Sequence, residues 1–175
     1  MGMTRDSEME FQAVFSHLGA VTAYARRRGS RDADGLAAEV MTIAWRRLED
    51  VPQDDPRPWL YATARNLLFA EARRTARDRS AAPIPELVAE ALEPHGLDPE
   101  LAKALRLLSS SDLEALLLVA WEDLTPTQAA KALGISAVAF RVRLLRARRR
   151  LRALLDDAAA NDHPASMAQL DVEGT

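Results

Sequence analysis

The stretch TPTQAAKALGIS, residues 125–136, runs directly into AVAFRVRLLRARRRLRALL, residues 137–155. Thr125 is placed to cap a helix, Pro126 sits at its first position, and Gln128 follows three residues after the cap. That spacing is a capping box, and a proline loses nothing where the backbone N–H has no helical partner. Gly134 supplies the backbone freedom for a sharp stop. Ser136 is placed to cap the next helix. A short helix, a glycine-containing turn and a longer basic helix form the pattern that lays its second helix in a DNA major groove.

The second helix divides into faces. Phe140, Leu144, Ala147, Leu151 and Leu154 recur at helical spacing and predict the buried stripe. Arg141, Arg143, Arg146, Arg148, Arg149, Arg150 and Arg152 take the other faces, with no acid among them. Like charges on one helix repel, so seven arginines are a poor solvated face unless a polyanion is near. A merely soluble amphipathic helix is the bland alternative. The capped turn in front fits DNA binding independently of the charge.

The net charge of −3 over 175 residues conceals segregation. Residues 1–79 carry 13 basic and 12 acidic groups; residues 80–100 carry five acids and no base. Residues 101–155 carry 10 basic and four acidic groups, and residues 156–175 five acids and no base. Local charge, not the total, decides which partners are attracted. The absence of cysteine excludes disulfides, a thiolate nucleophile and cysteine-bound zinc. No apolar run suggests a signal peptide or a membrane span, so a cytoplasmic protein without membrane contact is expected.

Elsewhere the periodicity is helical throughout, and the expected fold class is all-α. A first helix is predicted from Phe11 to Arg28, ending in basic residues before Gly29. A second runs from Asp32 to Leu48, with Leu36, Val40, Ile43 and Ala44 inward. The loop EDVPQDDPRP follows, then a third long helix from Pro58 to about Arg77, carrying Arg65, Arg73, Arg74 and Arg77 on its polar face. Four prolines and a glycine across RSAAPIPELVAEALEPHGLDPE mark a boundary, with room for one short helical turn at Glu86–Leu92. Asp98 and Pro99 open the next helix, and Ser111 with Glu114 predicts a capping box for the one after. The expected organisation is a unit at 8–79, a flexible acidic linker at 80–98, a helix-turn-helix unit at 99–155 and a disordered acidic tail at 156–175.

Three stretches in this order resemble one family. DADGLAAEVMTIAWRRLED, RPWLYATARNLLFAEARRTAR and LEALLLVAWEDLTPTQAAKALGISAVAFRVRLLRARRRL are similar to regions two and four of bacterial RNA polymerase sigma factors of the extracytoplasmic-function type, in the sigma-70 family. The resemblance implies a transcription initiation factor, not an enzyme, that binds core RNA polymerase and directs it to promoters. It implies contact with a minus-thirty-five duplex and a melted minus-ten element, and an inhibitory anti-sigma factor as a further partner. No cofactor or metal is implied.

Residue by residue, the resemblance places Asp34, Glu39, Thr42, Arg46 and Arg47 on the helix that docks on the polymerase clamp. Asp54, Asp55, Pro56, Arg57, Trp59 and Asn66 fall where the family holds an unstacked base, and Arg65, Arg73 and Arg74 near the phosphates. Trp59 fits a core tryptophan equally well. Arg141, Val142, Leu145 and Arg146 fall toward the minus-thirty-five bases, and Arg143, Arg148 and Arg149 toward phosphates. Ala139 and Val142 depart from the family, where threonine and serine are common, so its base preference does not transfer. Apolar Val142 and Leu145 suit thymine methyls instead. The linker acids fit either a nucleic-acid mimic inside a basic channel or plain solvation. The acidic tail also suits shielding of the arginine helix.

His17, His95 and His163 lie in separate segments, and no HExxH, phosphate loop or GxSxG occurs, which argues against an enzyme. Two other readings stay open on the residues alone: a stand-alone helix-turn-helix regulator that dimerises on duplex DNA, and an all-helical protein adaptor.

Overall fold

The computed structural model describes residues 5–79 and 98–162, all helical apart from connecting loops. The first cluster contains α1 (Arg5–Phe15), α2 (Leu18–Arg27), α3 (Ala33–Arg46), a single 3-10 turn (Leu48–Asp50) and α4 (Arg57–Arg79). The second contains α5 (Pro99–Arg106), α6 (Ser110–Ala120), α7 (Pro126–Leu133) and α8 (Ala137–Asp162). The segment between them, including the expected turn at Glu86–Leu92 and His95, lies outside the described residues, as do Arg77's side chain and the chain beyond residue 162.

Local chemistry explains most helix ends. Asp32 accepts from the Gly35 N–H at 2.8 Å and starts α3. Asp98 accepts from the Glu100 and Leu101 N–H groups, with Pro99 at the first position of α5. The box at α7 is complete: Thr125 Oγ1 accepts from Gln128 N, and Gln128 Oε1 accepts from Thr125 N at 2.7 Å. Gly134 closes α7 in the left-handed region at φ 66, where a Cβ is disfavoured. Ser136 Oγ then accepts from Ala139 N and starts α8.

Three expectations need correcting. The helix anticipated from Phe11 to Arg28 breaks at Ser16 and His17. The Ser16 hydroxyl donates to the Ala13 carbonyl at 2.6 Å, and His17 N–H turns to Val14 instead. A serine hydroxyl competing for a ladder carbonyl favours such a break. The anticipated box at Ser111 and Glu114 does not form, because Ser109 caps α6 through Asp112 N at 3.2 Å and Glu114 is taken by Arg65. Helix α8 runs on to Asp162, so the tail expected to be disordered from residue 156 begins as helix. Leu154 and Leu155 are partly buried there, and the alanines at 158–160 are strong helix formers.

The two clusters are not separate bodies in this conformation. One buried apolar cluster joins Val14, Tyr24, Val40, Leu60, Tyr61 and Ala64 to Leu118, Leu124, Ala129, Ala130 and Phe140. Helix α7 packs along α4. A smaller cluster of Leu105, Leu108, Leu113 and Leu117 holds α5 and α6 together, with Leu151 and Leu154 of α8 against it. The fully buried Phe140 ties α8 into the larger cluster, a burial that stabilises by roughly 1.5–3 kcal/mol.

Candidate nucleic-acid and polymerase interfaces

Helix α8 presents the expected buried stripe: Phe140, Leu144 and Ala147 are buried, and Leu151 and Leu154 partly so. At about 100° per residue, Val138, Val142, Leu145 and Arg149 fall within an arc of about 60° on the opposite side. Val138, Val142 and Leu145 are 68%, 61% and 51% exposed. Exposed arginines flank them, Arg141, Arg148 and Arg152 on one side and Arg146 on the other. From Val138 to Leu145 the outward face is therefore apolar at its centre and cationic at its edges, and Arg149 takes the centre further along. Val138 was missed by the sequence reading, although the same spacing arithmetic yields it.

The arginines are not equivalent. Arg146 donates from Nη2 to Asp112 Oδ1 at 2.8 Å and from Nε at 3.3 Å. Burial alone would raise the Asp112 pKa, but hydrogen bonds from Arg146 and Ser109, with the Arg146 charge, hold it below the usual carboxylate value. Arg146 therefore braces α8 against α6 while remaining largely exposed. Arg143 is half-buried and adds its charge near Asp112. Arg141, Arg148 and Arg149 are exposed.

On α3, the side turned from the core carries Glu39, Thr42 and Arg46, all exposed. The Thr42 hydroxyl donates to the Ala38 carbonyl at 2.9 Å. Asp34 is exposed and 4.0 Å from Arg26. Arg47 pairs with Asp50 at 2.8 Å beyond the end of the helix. Trp45 is partly buried, its ring edge-on to Phe11 with centroids 4.6 Å apart. Glu39, Thr42 and Arg46 share the outward face of α3, and Asp34 and Arg47 are exposed near its two ends.

The loop before α4 and the polar side of α4 are partly engaged by the second cluster. Asp55 accepts from Gln128 Nε2 at 2.7 Å and lies 3.5 Å from Arg57 Nε. Arg65 donates to Glu114 at 2.6 and 3.3 Å and stacks over Phe69 with 4.4 Å to the ring centroid. Pro56 is buried, Trp59 half-buried against the core, and Asp54, Asn66, Arg73 and Arg74 exposed. The structure thus separates the expected base-holding residues into an exposed set and a set facing α6 and α7.

Beside α4 the seam carries a buried ionic cluster. Asp123 takes a left-handed φ of 50 after α6, and Glu122 is buried just before it. Its carboxylate accepts from Arg27 at 2.5 Å and Arg28 at 2.9 Å. The Arg28 guanidinium lies 3.6 Å from the Tyr24 ring centroid, and Tyr24 stacks on Tyr61 at 4.9 Å. Burial pushes the Tyr24 phenol up to about 12, against the charge of Arg28. Nothing in the spacing of Glu114, Glu122 or Gln128 announced these links, because each joins positions at least 49 residues apart.

Among the described residues, no group of acids and histidines is arranged to hold a metal. No described helix is long and apolar enough to cross a membrane.

Comparison with known proteins agrees with this geometry. Residues 14–78 match the family described as Sigma-70 region 2, and residues 99–151 match Sigma-70, region 4. The chain belongs to the sigma-70 family of RNA polymerase sigma factors. It is 30% identical over 161 residues to the RNA polymerase sigma factor NccH of Alcaligenes xylosoxydans xylosoxydans, covering 84% of this chain and 87% of that one. Two solved structures are similar. One is the sigma factor RpoE of Bartonella quintana in complex with the anti-sigma factor NepR: 25% identity, TM-score 0.61, 83% of this chain and 95% of that chain covered. The other is CnrH in complex with the cytosolic domain of CnrY: 28% identity, TM-score 0.57, 84% and 88% covered. This sigma factor is of the extracytoplasmic-function type. It directs RNA polymerase to promoters and is not itself an enzyme.

Proposed function

We propose that this sigma factor reads the minus-thirty-five duplex with α7 and α8 acting as a helix-turn-helix, and holds the melted minus-ten strand along α4 and the loop before it. The observation that carries the reading is the outward face of α8. An apolar centre with cationic edges, opposite a buried stripe and behind a capped turn, suits a helix that enters a major groove. Val142 and Leu145 meet base edges, with Arg141 beside them. Arg148 and Arg149, at least two positions further along the chain, meet the backbone where the helix leaves the groove. Arg146 shares itself between Asp112 and the DNA, and Arg143 adds charge behind it.

Asn66 and Trp59, with Asp54, Asp55, Pro56 and Arg57 before them, form the base-holding end of α4. Arg65, Arg73 and Arg74 follow the phosphates. The outer face of α3, with Asp34, Glu39, Thr42, Arg46 and Arg47, docks on core polymerase. The solved relative RpoE carries the anti-sigma factor NepR, which supports such an inhibitor here too. Work with polymerase places the chain in the cytoplasm. A stand-alone regulator would need a dimer to read two half-sites.

Reconstitution with core polymerase on genomic DNA, followed by sequencing of transcript 5′ ends, tests this. The expected result is a set of start sites sharing two upstream elements, with little sequence-specific binding by the chain alone. Tight dimeric binding to duplex without polymerase would favour the stand-alone regulator.

A further inference from the structure

We propose that Asp112 is a positioning residue for promoter reading: it grips one edge of the Arg146 guanidinium and presents the other edge to the O6 and N7 of a guanine in the upstream duplex. The proposal rests on the reading of α8 as the minus-thirty-five helix.

The donor geometry comes first. Asp112 Oδ1 accepts from Arg146 Nη2 at 2.8 Å and from Nε at 3.3 Å. Those two nitrogens share one side of the planar guanidinium. The terminal edge is left over, with one N–H on Nη1 and the second N–H of Nη2 pointing the same way. That parallel pair matches the N7 and O6 acceptors on the major-groove edge of guanine.

Burial then assigns the two partners different parts. The Asp112 side chain is 10% exposed and the Arg146 side chain 62%. The carboxylate belongs to the scaffold, at the start of α6, where the Ser109 cap binds its backbone N–H at 3.2 Å. The arginine belongs to the surface, on the flank of the apolar strip of Val138, Val142 and Leu145. Arg143 adds its charge near Asp112 but is half-buried, so Arg146 is the partner that reaches outward. An exposed ion pair adds little stability. It does remove rotamer freedom that a long side chain would otherwise lose on binding. A rigid neighbour that pre-sets a reading side chain sharpens the contact it makes.

Charge separates a base from a phosphate as the target. Both can accept two parallel N–H bonds from an arginine. A carboxylate beside the guanidinium cancels much of its attraction for a phosphate, the interaction on which backbone contacts depend. It leaves the terminal donors intact for a neutral base.

The test uses the reconstituted holoenzyme on a promoter that it selects. Each guanine of the upstream element, on either strand, is exchanged in turn for adenine or for 7-deazaguanine, which lacks the N7 acceptor. At one guanine, exchange for adenine should lower initiation by the parent about tenfold, and 7-deazaguanine should lower it too. Asp112→Ala should shrink the adenine penalty to about threefold or less, at that position alone. Its affinity for DNA without the element should hold or rise, because one negative charge is gone. Arg146→Ala should erase the penalty, and adding Asp112→Ala should then change nothing, as for two residues that act as one. If Asp112→Ala loses helix signal in circular dichroism, Asp112→Asn is held to the same criteria. A uniform loss at all promoters with the guanine preference intact would make Asp112 a brace only. A uniform gain would make it a competitor for DNA only. A guanine preference indifferent to Arg146→Ala would put that side chain on a phosphate. Each of these overturns the proposal. Start sites with no shared upstream element would instead overturn the promoter reading, and the proposal with it.

Discussion

Arg146, on the exposed side of α8, is tied to Asp112, the residue whose backbone N–H is bound by the cap of α6. One guanidinium thus links α8 to α6 behind it. Asp112→Asn should lower stability at neutral pH by less than about 1 kcal/mol, because Arg146 is well exposed and its pairing is screened. The Asp112 carboxyl titrates below its ordinary value, so its contribution is full above the unfolded pKa and fades as pH falls through the depressed one. Denaturant melts of parent and Asp112→Asn should therefore converge in strong acid. A gap that widens on acidification would contradict the assignment.

The apolar centre of the α8 face makes a prediction about thymine. Replacing thymine by deoxyuridine in the upstream element removes only the methyl group. Where Val142 or Leu145 packs on that methyl, initiation by the reconstituted polymerase should fall about fourfold per site, the worth of one buried carbon. In Val142→Ala the penalty at its site should shrink. Arg148→Ala and Arg149→Ala should instead weaken all promoters alike, flattening log affinity against log salt by about 0.9 for each lost phosphate contact. Equal thymine and deoxyuridine activity at every position would leave the stripe without a base-reading role.

Charge reversal on α3 should separate docking from folding. Asp34→Lys, Glu39→Lys and Arg46→Glu change exposed positions, so each should alter stability by under about 0.5 kcal/mol. Binding to core polymerase should drop at least tenfold, a loss of about 1.4 kcal/mol. Native melting together with native polymerase affinity would move the dock elsewhere.

Tyr24 sets an alkaline limit. Burial raises its pKa from 10.0 to about 12, so the folded state disfavours the phenolate. The stabilisation is complete below about pH 10 and disappears as pH rises through about 12. Phenolate absorbance and loss of circular dichroism should rise together over that interval. Tyr24→Phe should make stability less steep there. Early phenolate formation in an intact fold would mean the Arg28–Tyr24 stack admits solvent.

Much of the fold could be read locally. Thr125, Gln128, Gly134 and Ser136 specify the turn between α7 and α8 through contacts spanning at most six residues, and the stripe Phe140–Leu144–Ala147 follows from helical period alone. Asp98 and Asp32 are equally local. What escaped the sequence were choices between competing partners. Glu114 was read as a cap for its own helix, but the fold gives it to Arg65. Ser111 lost the cap to Ser109 by position, and Ser16 broke a periodic helix by taking one carbonyl. The exposed faces of α3 and α8 were legible from helical period, and the contact between the two clusters was not, since Glu122 and Arg28 have no feature in common until the chain is folded.

In the proposed docking, helix α8 has a consequence for alignment along the DNA. Its 26 residues reach about 39 Å, far more than the roughly 12 Å width of a major groove. Arginines crowd its first two-thirds, and Asp156 and Asp157 come after them. Pushed further in, the helix would bring those carboxylates against phosphate; drawn back, it would strand its arginines in water. The sign change along one axis works as a depth gauge: it sets how far the helix advances and gives the complex a preferred polarity before any base is read.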